Sequence, residues 1–304
     1  MKHLEIRSNL ILLLTAAIWG LAFTAQRVGA QYVGPFTLNG IRFAIGSLSL
    51  LPLLIFFSKK APDTNKGEFE KTSAILPGII AGSVLFAGAT LQQMGLTHTS
   101  AGKAAFITGL YIVLVPILGI FLKHRTHLSI WLGAILAVLG LYLLSVTEKF
   151  TITNSDLYEL IGAFFWAGHI LVIDYYTKKM NTLTLCIIQF LTSSLLSLIV
   201  ALGFESISLA GIGYALLPIL YLGICSTGIA YTLQVVGQKH AKPSHAAIIL
   251  SMEAVFASLG GLIILHENLG ARGYLGCLLM LAGMLITQLP NSITKKSDPG
   301  VSIN

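Results

Sequence analysis

Charged residues are scarce in this chain of 304 residues, because Asp, Glu, Lys and Arg together make up only 10% of it. A soluble globular domain carries about 25% charged residues, so this deficit excludes a disordered chain and argues against a soluble enzyme. Hydrophobic residues make up 55%, and the mean hydropathy is +0.82. We therefore predict that lipid surrounds most of the chain, in spans of roughly 20 apolar residues each.

Cysteine is also rare, and Cys186, Cys225 and Cys277 lie in separate apolar runs. Their number is odd and their spacing is not that of metal ligands, so we expect free thiols, no disulfide and no metal site. The chain lacks His-Glu-x-x-His, Gly-x-Ser-x-Gly and paired intramembrane aspartates, the groups that an intramembrane enzyme would need. We therefore expect no enzymatic activity and no cofactor.

Ten apolar runs of about 20 residues are candidate membrane spans. Their approximate limits are Asn9–Val28, Phe36–Phe57, Ser73–Met94, Ala101–Phe121, Leu128–Val146, Leu157–Tyr176, Leu183–Gly203, Gly211–Val236, His245–Leu265 and Ala271–Leu289. The longest connection, Ser58–Thr72, is the only strongly hydrophilic one. The pattern predicts an all-α membrane protein with ten transmembrane helices.

Lys and Arg are distributed unevenly between the two ends of these spans. If the N-terminus is cytoplasmic, fourteen of them lie at the inner face, four at the outer face, and Arg42 lies within span two. Cytoplasmic loops carry such an excess of basic residues. We therefore predict a multi-pass protein of the plasma or inner membrane with both termini cytoplasmic. The net charge of +7 has the same origin, and nucleic acid is not an expected partner.

The second half of the chain repeats rarer residues of the first half. The matched pairs include Trp19 with Trp166 and Phe43 with Phe190 at an offset of 147, and Gln92 with Gln234 and Tyr111 with Glu253 at an offset of 142. Each repeat holds five spans, an odd number, so the second copy must enter the membrane from the opposite side. We predict two inverted five-helix repeats, residues 1–150 and 151–304. Such repeats are typical of transporters with a midplane substrate site, and a duplicated scaffold without a transport path is the alternative.

Several motifs occupy matching places in these spans. They are Ala16–Phe23 in span one, Arg42-Phe43 in span two, Phe165-Trp166-Ala167 in span six, Ser251–Phe256 in span nine, and His266-Glu267-Asn268-Leu269. With these motifs the chain resembles the EamA-like branch of the drug/metabolite transporter superfamily over nearly its whole length. It departs from the family where Ala254 replaces a usual Pro and His266 a usual Gly. The resemblance implies a ten-helix, exporter-like fold that moves small metabolites around a central cavity.

Three ionisable residues inside the predicted spans need an explanation, because charge in lipid is costly. Glu253 lies about nine residues into span nine, or roughly 13 Å deep, where it either binds a substrate ammonium or a coupling proton, or ties two helices together. Arg42 either contacts a substrate carboxylate or extends to the outer surface. Asp174 is predicted to form an interfacial salt bridge near Lys178 and Lys179. Only Arg42 and Glu253 are expected well inside the membrane.

Polar and aromatic residues at mid-span positions complete a candidate substrate pathway. The residues assigned to it are Trp19, Phe23, Asn39, Arg42, Gln92, Tyr111, Trp166, His169, Tyr231, Gln234 and Glu253. Their helical spacing indicates polar faces turned away from lipid. Hydrogen bonds between helices and aromatic belts at the membrane surface are the alternative explanation.

Glycine and proline predict features of the packing. Gly133 and Gly140 in span five, with Gly276 and Gly283 in span ten, mark seams where helices approach closely. Pro116 predicts a kink in span four.

Secondary transport by alternating access is the function that follows from the repeat, with a small-molecule substrate and the lipid bilayer as partners. Export, and small metabolites such as amino acids as substrates, are implied by the resemblance alone. A passive small-solute channel and a non-transporting scaffold remain as alternatives. The sequence is compatible with both a monomer and a homodimer.

Overall fold

The computed structural model describes residues 2–60, 75–96, 101–124, 126–146, 153–264 and 270–287. Most of the connection Ser58–Thr72 and the whole motif His266-Glu267-Asn268-Leu269 lie outside the described residues. The regular elements in these ranges are helical. They are α1 (Lys2–Gly29), α2 (Pro35–Lys60), α3 (Ile75–Leu96), α4 (Ala101–Gly109), α5 (Tyr111–Phe121), α6 (Leu128–Ser145), α7 (Asn154–Thr177), α8 (Thr182–Phe204), α9 (Leu209–Tyr214), α10 (Leu216–Leu220), a π-helix (Tyr221–Tyr231), α11 (Thr232–Gln238), α12 (Pro243–Leu250), α13 (Glu253–Ile264) and α14 (Gly270–Thr287).

Seven helices in the described ranges are long and apolar enough to cross a bilayer. Three further apolar helices are shorter, namely Phe106–Phe121, Leu128–Leu144 and Pro243–Leu259. Large apolar side chains point outward, including Phe121, Phe204 and Leu209, each at least 80% exposed. In water such a surface would be strongly unfavourable, whereas acyl chains accommodate it. The protein is an all-α membrane protein, and the helices lie within a few residues of the predicted spans.

Several broad contacts join the halves of the chain, since α2 packs against α8, α3 packs against α7 and α8, and α6 packs against α14. The seam between α6 and α14 depends on glycine. A Cβ added to Gly133 would lie 2.7 Å from the carbonyl oxygen of Gly283, and one added to Gly140 would lie 2.5 Å from that of Gly276. The predicted seam of four glycines is thus confirmed, with the glycines facing each other in two crossed pairs.

Two of the predicted spans are interrupted in the middle. Span four ends its first helix at Gly109 and starts its second at Tyr111, after Leu110. Bonds to the third preceding residue tighten the chain at this point, because the Leu110 amide donates to the carbonyl of Ile107 over 3.1 Å. Pro116, at which the sequence predicts a kink, lies inside helix α5.

Span nine is interrupted at the corresponding position, between Leu250 and Glu253. The Met252 amide donates to the carbonyl of Ile249 over 3.1 Å, and the Ser251 hydroxyl donates to that of Ile248 over 2.7 Å. These bonds satisfy backbone and side-chain groups where the α-helical pattern stops. Tyr111 and Glu253, which are 142 positions apart, are therefore each the first residue of a helix that begins inside a span.

Span eight is not the single α-helix that its apolar run predicts. It is divided into α9, α10, the 11-residue π-helix and α11. A π-helix closes hydrogen bonds to the fifth preceding residue and so leaves some carbonyl groups displaced toward a neighbour, which is why such segments often occur at functional sites. This one lies against α1 and α2.

Candidate functional site

Tyr111 and Glu253 meet at the centre of the helix assembly. The Tyr111 hydroxyl donates to Oε1 of Glu253 over 3.2 Å. Since each residue starts a helix after an interruption, the two interruptions face each other here. The Glu253 carboxyl group thus sits among helix ends, with a phenol as its hydrogen-bond partner.

A cavity surrounds this pair. Its lining comprises Trp19, Ala22, Phe23, Gln26, Arg42, Gln92, Thr108, Tyr111, Trp166, Ile170, Ser226, Tyr231, Gln234, Leu250 and Glu253. Its volume is about 40 Å³, enough for a few water molecules at most. Sites that enclose a small molecule usually measure roughly 300–1,000 Å³, so a substrate could enter only after helices or side chains move apart.

Nine of the eleven residues assigned to the substrate pathway line this one cavity. They are Trp19, Phe23, Arg42, Gln92, Tyr111, Trp166, Tyr231, Gln234 and Glu253. The other two lie outside the lining. His169 is buried, and its Nε2 is 3.0 Å from Oε1 of Gln189 on α8. Asn39 is fully buried, and neither its amide nitrogen nor its oxygen has a hydrogen-bond partner.

Arg42 lies inside the cavity and does not extend to the outer surface, since it is only 2% exposed. Its guanidinium carbon is 4.7 Å from the centre of the Phe43 ring, a cation–π contact. Its Nε has no hydrogen-bond partner. The described residues include no carboxylate that forms a salt bridge with Arg42, although Glu253 lines the same cavity.

Tyr231 joins the aromatic residues of the site into one cluster. Its ring centre is 4.6 Å from that of Trp19 and 6.3 Å from that of Trp166. It is also 6.2 Å from Phe43 and 5.9 Å from Phe190. Four of these five residues are two pairs related by the offset of 147, and Tyr231 lies between both pairs. Edge and stacked aromatic contacts of this kind hold side chains in defined positions.

The π-helix provides a polar anchor for this cluster. Trp19 Nε1 donates to the carbonyl oxygen of Ser226 over 3.1 Å. By contrast, Nε1 of Trp166, the matching residue of the second repeat, is buried without a partner. The two indoles thus line the same cavity but are held by different means.

Sequence patterns missed several members of the lining, namely Ala22, Thr108, Ile170, Ser226 and Leu250. Gln26 also lines the cavity, as its helical spacing from Trp19 and Phe23 on one face of span one indicates. Sequence patterns also did not single out Glu159, although it lies within predicted span six. It is fully buried on α7, which begins at Asn154.

A larger cavity of about 570 Å³ lies at the ends of α7 and α12 that are predicted to face the cytoplasm. Its ionisable residues are His124, His127, Asp174, Lys178, Lys239, His240, Lys242 and His245. The predicted salt bridge of Asp174 is confirmed, since Lys178 Nζ is 2.7 Å from its Oδ1. We call this larger cavity the vestibule. Four histidines line it, but no group of three metal-ligating side chains converges among the residues described.

Known proteins resemble the chain along nearly its whole length. The model of the EamA-like transporter family matches residues 6–146 and again residues 153–289. An uncharacterized transporter of Archaeoglobus fulgidus is 32% identical over 292 residues, which cover 93% of this chain and 86% of that protein. The uncharacterized transporter YoaV of Bacillus subtilis is 22% identical, over 88% of this chain and 92% of its own.

A solved crystal structure shares the fold. It superimposes with a TM-score of 0.76, covers 93% of this chain and 96% of its own, and is 18% identical in sequence. At that identity the likeness concerns the fold alone. The two family matches cover most of the chain in succession, and the chain belongs to the EamA-like transporter family.

Proposed function

We propose that this protein is a secondary transporter that exports zwitterionic amino acids with apolar side chains through the central cavity. The observation that carries the proposal is the pair Arg42 and Glu253. Both line one cavity, and they form no salt bridge with each other. A guanidinium binds a carboxylate in a bidentate manner, and a carboxylate binds an ammonium group, so a zwitterion satisfies both residues at once.

The uncharged part of the lining is both polar and apolar. Gln26, Gln92, Thr108, Ser226 and Gln234 contribute polar groups, whereas Trp19, Phe23, Trp166, Ile170 and Leu250 contribute the aromatic and aliphatic surface that would contact the substrate side chain. Apolar surface favours an apolar ligand by about 25 cal/mol for each Å² removed from water. A second charge on the substrate would find no partner there. We therefore expect leucine-like or phenylalanine-like substrates, and weaker transport of lysine and glutamate.

We further propose that ten helices form two inverted five-helix repeats, residues 1–150 and 151–304. Contacts between equivalent residues support this arrangement, because a residue can meet its own equivalent only near the axis that relates the two copies. Tyr111 contacts Glu253, and the rings of Phe43 and Phe190 stack at 6.3 Å. The site residues all come from one chain, so a monomer suffices for the proposed function.

The interrupted spans are the segments that we expect to change conformation during transport. Broken helices at the repeat interface are characteristic of transporters that work by alternating access. With a volume of about 40 Å³, the cavity is close to an occluded state. We propose that rocking of one half against the other opens it alternately to the vestibule and to the opposite face. Both termini are cytoplasmic in this proposal, and the membrane is the cell or inner membrane.

Transport by the purified protein in liposomes tests the proposal. Labelled leucine should enter vesicles preloaded with unlabelled leucine at a rate that saturates, whereas labelled lysine and glutamate should enter at least about tenfold more slowly. Glu253→Gln removes the proposed partner of the substrate ammonium group. Its matched control is Glu5→Gln, which changes an exposed carboxylate. Flux that rises linearly with concentration would indicate a channel, and no flux above empty liposomes for any amino acid would favour a scaffold.

A further inference from the structure

A second buried carboxyl group lies beside the central cavity but is not part of its lining. Glu159 is fully buried on α7. Its Oε2 accepts a hydrogen bond of 2.6 Å from the hydroxyl of Thr108 on α4, while its Oε1 has no partner. One oxygen of this carboxyl group thus remains available in the interior of the protein.

Glu159 is closely packed and has no counter-charge among the described side chains. Gly95 on α3 makes room for it, because a Cβ there would lie 2.6 Å from Cγ of Glu159. No described Lys, Arg or His side chain pairs with this carboxyl group. Asp156, one turn earlier on α7, adds a second negative charge to its environment. A buried carboxyl group without a cation is much more stable with its proton than without it.

Among the described side chains, the other helices that pack against α7 bring no further ionisable group to Glu159. Helices α3 and α11 carry no ionisable residue. Helix α5 carries Tyr111, which lines the central cavity. Helix α12 carries His245, which lines the vestibule near Lys178, far along α7 from Glu159. The protonation of Glu159 therefore depends on Thr108, Asp156 and whatever enters the central cavity.

Thr108 connects Glu159 to that cavity. It donates to Glu159 on one side and is part of the cavity lining on the other. Three residues later, beyond the interruption at Leu110, Tyr111 donates to Glu253. The interrupted span four thus presents two hydroxyl groups to the same cavity, and each of them serves a different carboxyl group.

We propose that Glu159 is the proton-binding site that couples transport to a proton gradient, and that it exchanges its proton with the cavity through Thr108. This inference rests on the proposed function, since it assigns substrate binding to one carboxyl group and proton binding to the other. Glu253 binds the substrate ammonium, and Glu159 carries the proton.

The transfer needs only the groups already named. A protonated water in the cavity gives a proton to the Thr108 oxygen, and the Thr108 hydroxyl proton passes to Oε2 of Glu159. The reverse sequence returns the proton to the cavity, so Thr108 ends each step as it began. In antiport, a proton binds Glu159 while the cavity faces outward, stays bound during the change to the inward-facing state, and is released once the cavity faces inward.

Accumulation of leucine driven by a pH gradient tests the inference. Vesicles are clamped at zero voltage and given a gradient of one pH unit, which for one proton per substrate drives a concentration ratio of about tenfold. We expect this ratio in the wild type and a ratio near one in Glu159→Gln. Exchange of labelled for unlabelled leucine at equal pH needs no net proton movement and should persist in Glu159→Gln.

Thr108 provides variants that leave both carboxyl groups in place. Thr108→Ser keeps the hydroxyl and should retain the gradient-driven accumulation. Thr108→Val removes it and should lower the accumulation ratio at least threefold relative to Thr108→Ser. Because Thr108 also lines the cavity, leucine exchange at equal pH is measured for both variants, and the accumulation ratio is compared at matched exchange rates. These variants decide the question if Glu159→Gln does not yield folded protein, and Glu5→Gln again controls for loss of a carboxylate.

The two proposals fail in different ways. If the wild type shows no leucine exchange, the proposed substrate class is wrong. If it exchanges leucine but ignores the pH gradient, or if Glu159→Gln and Thr108→Val both accumulate leucine like the wild type, the assignment of Glu159 is overturned and the substrate site stands.

Discussion

The hydroxyl of Tyr111 lies 3.2 Å from the carboxyl group of Glu253, and the two residues are 142 positions apart in the chain. Both start a helix within an interrupted span. In the proposed pair of repeats, this contact joins equivalent positions, one carrying a phenol and the other a carboxyl group. The site is therefore asymmetric, as the proposed amino-acid substrate requires.

The first prediction concerns this contact. Tyr111→Phe removes the hydroxyl that holds Glu253 in place, and a hydrogen bond to a charged group contributes about 1.5–3 kcal/mol. We expect the leucine concentration for half-maximal exchange to rise about tenfold, with the protein still folded. Tyr214→Phe removes a hydroxyl from an exposed tyrosine and should change nothing. Equal kinetics for both variants would show that the contact does not position Glu253.

The second prediction compares the two equivalent tryptophans. Trp19 donates to the carbonyl of Ser226, whereas Nε1 of Trp166 has no partner. Trp19→Phe should therefore lower the free energy of unfolding by about 1 kcal/mol more than Trp166→Phe, because both lose a similar apolar area. Thermal unfolding in detergent measures the difference. A larger loss for Trp166→Phe would contradict the assigned role of the π-helix carbonyl.

The third prediction concerns the seam between α6 and α14. A Cβ at Gly140 would lie 2.5 Å from the Gly276 carbonyl oxygen, whereas one at Gly213 meets nothing within 4 Å. Gly140→Ala should cost about 1–3 kcal/mol of stability through overpacking. Gly213→Ala should be neutral or slightly stabilising, since alanine favours a helix more than glycine does. If both variants unfold at the wild-type temperature, the helices do not pack as closely as described.

The fourth prediction concerns a contact between loop and helix at the predicted outer face. The Glu205 carboxylate accepts hydrogen bonds of 2.8 Å from the amides of Phe36 and Thr37 and one of 2.6 Å from the Thr37 hydroxyl. It caps the start of α2, where a negative charge is favourable. Glu205→Ala should lower stability by about 1–2 kcal/mol. Glu5→Ala is the exposed control, and equal stability of the two variants would argue against the cap.

Much of the fold is predictable because burial in lipid leaves a strong pattern. The long apolar runs around Ile75–Leu96 and Thr182–Phe204 predict the helices found there, and glycine spacing predicts the seam at Gly133 and Gly283. The interruptions are different. Leu110 and Met252 are apolar residues in apolar runs, so the sequence carries no local signal for the helix ends found there. Local hydrogen bonds and the contact between Tyr111 and Glu253 accompany these ends.

The part of the site that can be predicted from the sequence consists of residues that share one face of a helix. Residues such as Trp19, Phe23 and Gln234 lie in the cavity because mid-span polar and aromatic groups avoid lipid. His169 has the same pattern but faces Gln189 of α8, and no local signal separates the two cases. The role of the Ser226 carbonyl depends on a π-helix. The burial of Glu159 depends on its contacts with Thr108 and Gly95 of other helices, which leave no pattern in the sequence around it.

The central claim is that Arg42 and Glu253 bind the two charges of the substrate. The most direct test removes one charged group from the substrate and, separately, the residue of the protein that is proposed to bind that group. Isoamylamine is leucine without its carboxylate, so its inhibition of leucine exchange measures binding that does not need Arg42. We expect Arg42→Gln to weaken leucine at least tenfold and to leave isoamylamine unchanged, and Glu253→Gln to spare 4-methylpentanoate, which lacks the ammonium group. Equal weakening of leucine and isoamylamine by Arg42→Gln would contradict a site in which Arg42 binds the substrate carboxylate.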